Sequence, residues 1–80
     1  MNLRLLLNGA SQNGNIEMYS DKEIVVDGCK CVEDYNKDYI KLNLGEKNIK
    51  ICGENLIIDS FLYEQADIKG QIVSLEFTTD

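Results

Sequence analysis

The chain contains no histidine, no proline and no tryptophan. The absence of histidine removes the usual general base near neutral pH and the commonest metal ligand. Cysteine is scarce and odd in number, at three, which argues against a disulfide framework and for a reducing compartment. Positive charge is also short: eight basic residues against 14 acidic ones leave a net charge of −6. The lysines stand singly among acids, so no basic stripe is available for nucleic acid or an anionic membrane. No hydrophobic run approaches the roughly 20 residues of a membrane span. The opening MNLRLLLNGA has an apolar run of three, too short for a secretory core of about 7–15 residues. The expectation is a cytoplasmic protein.

Eighty residues, 44% of them hydrophobic, fit one small globular domain. Residues 8–15, NGASQNGN, read as a polar loop, and Leu3–Leu7 before them as a short strand or leader. From Ile16 onward the pattern is that of strands: 16–19, 23–27, 29–34, 39–44, 47–52, 55–61, 64–69 and 71–78. Tyr39–Leu44 alternates, the turn Gly45-Glu46 follows, and Ile49 and Ile51 alternate again, which predicts a hairpin. No apolar series has the spacing of a helix.

Three stretches share a design: IVVDGCKCVEDY (24–35), IKICGENLIIDSF (49–61) and ADIKGQIVSLEF (66–77). Each is an alternating strand, a glycine, and apolar residues that end on an aromatic. After Gly53 and Gly70 the apolar positions change parity. A change of parity within a strand needs an extra residue, a β-bulge or a corner, and glycine commonly marks it. The sequence therefore predicts an all-β fold: a small antiparallel meander bent by glycine bulges at Gly28, Gly53 and Gly70 into a sandwich- or roll-like domain. Leu56, Ile58, Val73, Leu75 and Phe77, beyond the two later glycines, are the candidates for an apolar docking surface.

Here the sequence resembles the YabP/YqfC family of sporulation proteins. The stretches that carry the likeness are GCKCVEDYN (28–36), IKICGENLII (49–58) and IKGQIVSLEF (68–77). They follow a glycine-then-Val-Glu-Asp-aromatic pattern, an Ile-x-Gly-x-Asn-Leu pattern and a Gly-x-Ile-x-Ser-Leu-x-aromatic ending. The likeness spans roughly residues 22–78, so residues 1–21 are set apart as a leader and residues 22–80 as the family-like domain. Cys29 and Cys52 stand where the pattern usually carries aliphatic or basic residues. The resemblance implies a non-enzymatic sporulation protein, acting in spore coat assembly or elsewhere in sporulation through protein–protein contacts. It implies no catalytic residue and no cofactor. Its partners would be a second copy of itself and other sporulation proteins.

Read without the resemblance, the residues offer little chemistry. Cys29 and Cys31 would share a face of an extended strand, but one intervening residue is too few for a zinc knuckle and no histidine completes it. The expectation is that Cys29, Cys31 and Cys52 are small buried apolar residues. Glu33 and Asp34 point opposite ways on a strand. Asp21 and Glu23 share a face, as guards of a solvated edge. Gly53-Glu54-Asn55 lacks the glycines, lysine and helix of a phosphate loop. The aromatics Tyr19, Tyr35, Tyr39, Phe61, Tyr63 and Phe77 are expected mainly in the core, with some shared with an interface. Two rival classes are a small OB-like barrel that binds a ligand or single-stranded nucleic acid, and an enzyme acting through Cys29 or Cys31.

Overall fold

The structure, a computed structural model, describes residues 2–6 and 15–79. The loop expected over residues 8–15 lies outside the described residues except for Asn15. Seven strands follow in chain order: β1 (Asn2–Leu6), β2 (Asn15–Tyr19), β3 (Glu23–Asp27), β4 (Cys31–Tyr35), β5 (Tyr39–Asn43), β6 (Asn48–Leu62) and β7 (Gln65–Thr78). They form one antiparallel sheet in the order β1-β2-β3-β7-β6-β5-β4, and the described residues include no helix. The fold is all-β, as the alternation predicts, but Gly28, expected at a bulge, lies instead in the link between β3 and β4 with a left-handed φ of 83°.

The two predicted pairs of strands at 47–52/55–61 and 64–69/71–78 are in fact two long strands. The ladder between β6 and β7 runs from Asn48↔Thr78 to Leu62↔Gln65, with register shifts at Cys52/Gly53, Glu54/Ile57 and Ile58/Ser60. A bulge adds a residue and bends the strand, yet pairing resumes beyond it. No break appears at residue 22 either. β2 pairs with β3 from Ile16↔Val26 to Tyr19↔Glu23, and Ile16 is fully buried in the common core.

The topology forces the sheet to curl. β3 and β4 are four places apart in strand order. In a flat sheet that is about 19 Å. The link from Asp27 to Cys31 has four peptide steps, which reach about 14 Å at most. The link closes only if the sheet rolls until its two sides approach. Backbone hydrogen bonds hold the link at both ends: Cys29 N–H donates to Glu64 O at 2.9 Å, and Lys30 N–H to Asn43 O at 2.6 Å. Glu64 lies at the β6–β7 turn and Asn43 at the end of β5, so residues 29–30 bridge the two sides.

Inside the roll lies one apolar cluster. Ile24 and Val26 come from β3, Ile40 and Leu42 from β5, Ile49, Ile51 and Leu56 from β6, and Ala66, Ile68 and Ile72 from β7. Each fully buried branched side chain contributes about 1.5–3 kcal/mol. In β6 the buried positions pass from Ile49 and Ile51 to Leu56, so the parity changes across Gly53. In β7 they pass from Ala66, Ile68 and Ile72 to the partly buried Leu75. The aromatic expectation is overturned. No aromatic side chain is buried: Tyr19, Tyr35, Phe61, Tyr63 and Phe77 are exposed and Tyr39 is intermediate. The interior of a small rolled sheet is narrow, and isoleucine, leucine and valine already fill it.

Candidate interaction surface

β6 and β7 form a hairpin that is bent in the middle and braced on both outer sides. On the β6 side, Gly53 N–H donates to Asp38 O and Leu56 N–H to Lys37 O, each at 2.9 Å. On the β7 side, Gly70 N–H donates to Lys22 O at 3.1 Å and Ile72 N–H to Asp21 O at 2.8 Å. Side chains reinforce the second brace. Lys22 Nζ donates to Gln71 Oε1, and Gln71 Nε2 donates to Asp21 Oδ2, both at 2.6 Å. The bond from Gln71 holds the Asp21 carboxyl below its usual range.

The five residues expected on a docking surface fare differently. Leu56 is 1% exposed and belongs to the core. It lies within the shift between Glu54 and Ile57, where an extra residue on β6 turns it inward rather than outward. Ile58 and Leu75 are partly buried and pack against the core. Val73 is 69% exposed and Phe77 44%. Phe77 lies under the Lys47 ammonium, 5.9 Å from its ring centroid. Of the five, then, only Val73 and Phe77 are exposed, Val73 over most of its surface.

The far end of the hairpin carries a feature that the sequence does not announce. Leu62 pairs with Gln65, so Tyr63 and Glu64 alone make the turn. Both have left-handed backbones, with φ of 53° and 60°. That is the pattern of a type I′ hairpin, normally occupied by asparagine or glycine. Ordinary side chains there cost roughly 1–2 kcal/mol each. Tyr63 is 93% exposed, and Leu62, Phe61 and Ile57 are exposed on the same limb of β6–β7. No glycine or asparagine marks this turn, so the break expected between residues 61 and 64 gives no sign of its left-handed backbone.

The cysteines do not behave as one set. Cys29 is buried, Cys52 intermediate and Cys31 exposed, and all three are free. The shared face expected for Cys29 and Cys31 fails because β4 begins only at Cys31, while Cys29 lies in the bridging link. Burial, and then the neighbouring Cys31, push the Cys29 thiol up to about 11. Cys31 Sγ donates weakly to Glu33 Oε2 at 3.8 Å. Thiol-selective labelling of the folded protein should therefore be unequal, with Cys31 first and Cys29 reacting only on unfolding. Equally rapid labelling of all three would show that the link opens freely.

The acidic residues are dispersed. Asn43 Nδ2 donates to Glu33 at 2.8 Å, and Tyr39 Oη donates to Asp34 at 2.8 Å. Asp21 and Glu23 do not pair with each other. Glu23 instead meets Asp67 across the β3–β7 ladder. Asp67 Oδ1 is buried without a donor when both carboxyls are ionised. A protonated Glu23 can donate to Asp67; this bond, then burial and the Asp67 charge, raise Glu23 above its ordinary value of 4.5. Asp59 adds to the rise and Lys69 opposes it, while Lys69 itself is paired with Asp59 at 3.3 Å. Folded Glu23 thus binds its proton more tightly than the unfolded chain does. Stability from this group is present below pH 4.5 and falls as pH rises through the raised value. Glu23→Gln should raise the melting temperature at pH 7, with the gain shrinking as the pH is lowered below 4.5. A lower melting temperature at pH 7 would show that attraction to Lys69 outweighs repulsion from Asp67.

Among the described residues no group of three or more His, Cys, Asp or Glu is placed to hold a metal ion. Among the described residues no helix is long and apolar enough to cross a membrane. The YabP family model matches residues 10–80. The chain belongs to the YabP family. The match starts well before residue 22, and β2, which follows, is part of the same sheet. Membership suggests a sporulation-related protein. No curated protein and no solved structure matches the chain.

Proposed function

We propose that this YabP-family chain acts in the cytoplasm of the sporulating cell as a non-enzymatic assembly protein of the spore coat, working through contacts with a second copy of itself and with other sporulation proteins. The observation that carries this reading is where the apolar residues lie. The core is closed by aliphatic side chains, while Tyr63, Leu62, Val73 and Phe77 remain exposed along one bent hairpin. The turn at Tyr63 and Glu64 holds strained backbone where glycine would relieve it, and such strain tends to mark sites under functional constraint. Family membership supplies the link to sporulation.

Deletion of the gene in a spore former, followed by electron microscopy, tests the reading. Thinned, detached or incomplete coats are the expected result. Normal coats together with a normal spore yield would overturn it.

A further inference from the structure

The outer edges of the sheet are not alike. β4 carries a register shift between Val32 and Asp34, with the acids Glu33 and Asp34 at that point. The far limb of β6, beyond the reach of β5, is interrupted by a shift between Ile58 and Ser60 and carries Asp59. Bulges and charges of this kind keep edges from pairing.

β7 has no such guard over its last five residues. β3 covers it from Gln65 to Lys69, and the backbone of residues 21–22 extends that cover to Ile72. From Ser74 to Thr78 the strand pairs regularly with Cys52 to Asn48 of β6 on one side. No described strand lies on the other side. The run has no lysine, arginine or proline, and its one charge, Glu76, stands opposite Lys50.

We infer that this edge pairs with the same edge of a second copy, antiparallel about a two-fold axis at Leu75, so that two sheets become one. The inference rests on the proposed self-association and says where it occurs. The edge is complementary to itself. Turned about Leu75, it sets Leu75 against Leu75, Ser74 against Glu76, and Phe77 against the bulge at Ile72 and Val73. The alternative axis at Glu76 would set glutamate against glutamate, a destabilising pair. Leu75 and Phe77 stand opposite Ile51 and Ile49, both fully buried, so they face the core side of the sheet. They are nonetheless incompletely covered, Leu75 in part and Phe77 at 44%. A second copy supplies the missing apolar neighbours and the missing backbone partners in one step, as an isologous contact does.

Light scattering of the full chain over a range of concentrations, together with cysteine cross-linking, tests this. Wild type should reach twice the monomer mass. Val73→Lys and Phe77→Lys should keep the wild-type circular dichroism and associate about tenfold more weakly or not at all. Leu75→Cys, with Cys31 and Cys52 replaced by serine, should form a disulfide-linked dimer under mild oxidation. Residues directly opposed in an antiparallel pair lie about 4.5–5.5 Å apart at Cα, within the span of a disulfide. A dimer that survives both lysine variants and gives no cross-link at position 75 would overturn the inference and leave self-association standing. Loss of the dimer in Leu62→Ser or Tyr63→Ser, but not in the lysine variants, would move the contact to the hairpin tip and overturn it too. A wild type that stays monomeric at every concentration would overturn self-association as well.

Discussion

Gly53→Ala should destabilise the domain by about 3 kcal/mol or more, a large part of the roughly 4–12 kcal/mol expected for a chain this size. The reason is steric. A Cβ built on Gly53 falls inside the contact distance of the Gln71 carbonyl oxygen, and close to Leu56 Cδ2. Gly70 repeats the situation from the other strand. Its Cβ would stand 2.7 Å from Asn55 O and 2.9 Å from Leu56 Cα, and its φ of 135° is strained for any other residue. Backbone atoms are the obstacle in both cases, so no side chain can swing away. The two strands approach most closely where they bend, and each glycine makes room for the other strand. Urea denaturation of Gly53→Ala and Gly70→Ala should therefore show strongly lowered midpoints. The double variant should fall by less than the sum, because one separation of β6 from β7 relieves both clashes. A wild-type midpoint in Gly53→Ala would mean that the strands are not in contact at the bend.

Leu56→Ala should cost about 2–5 kcal/mol and leave self-association unaltered in any fraction that folds. Leu56 is 1% exposed, lies within the register shift between Glu54 and Ile57, and belongs to the apolar cluster of the described residues that joins both sides of the roll. Truncation opens a cavity where the bend is braced by Leu56 N–H donating to Lys37 O. Val73→Lys should give the opposite pattern, with little change in the urea midpoint and a clear change in association. Measured together, the two variants separate core from surface on the same hairpin. A near-wild-type midpoint for Leu56→Ala, with impaired association, would return Leu56 to the outer face.

The all-β class, the hairpin at Gly45 and the parity changes near Gly53 and Gly70 are legible in the sequence, because alternation and glycine are local signals. Ile49 and Ile51 announce their face two residues at a time. What local pattern cannot convey is which strands become neighbours. β3 pairs with β7 across some forty intervening residues, and nothing in EIVVD or QADIK names the other. The direction taken after a bulge is equally hidden. Leu56 and Val73 both follow a glycine, yet one goes in and the other out, since the register shifts place the extra residue differently. The aromatics mislead for a different reason: their volume suits a broad core, and this roll is too narrow to hold them. Tyr39 and Tyr35 instead serve at the surface, one donating to Asp34 and the other accepting from Ile58 N–H.

The strand order has a kinetic consequence. β7, the last of the seven to be synthesised, is the one at the middle of the sheet. Until it emerges, β1–β3 and β4–β6 are two separate three-stranded ribbons, each with an edge waiting for the same missing strand. Folding during translation is therefore deferred, and the nascent chain carries two open edges until residues 65–78 slot between them. A topology so rich in distant pairings folds slowly, and during that interval it is vulnerable to mispairing with neighbouring chains.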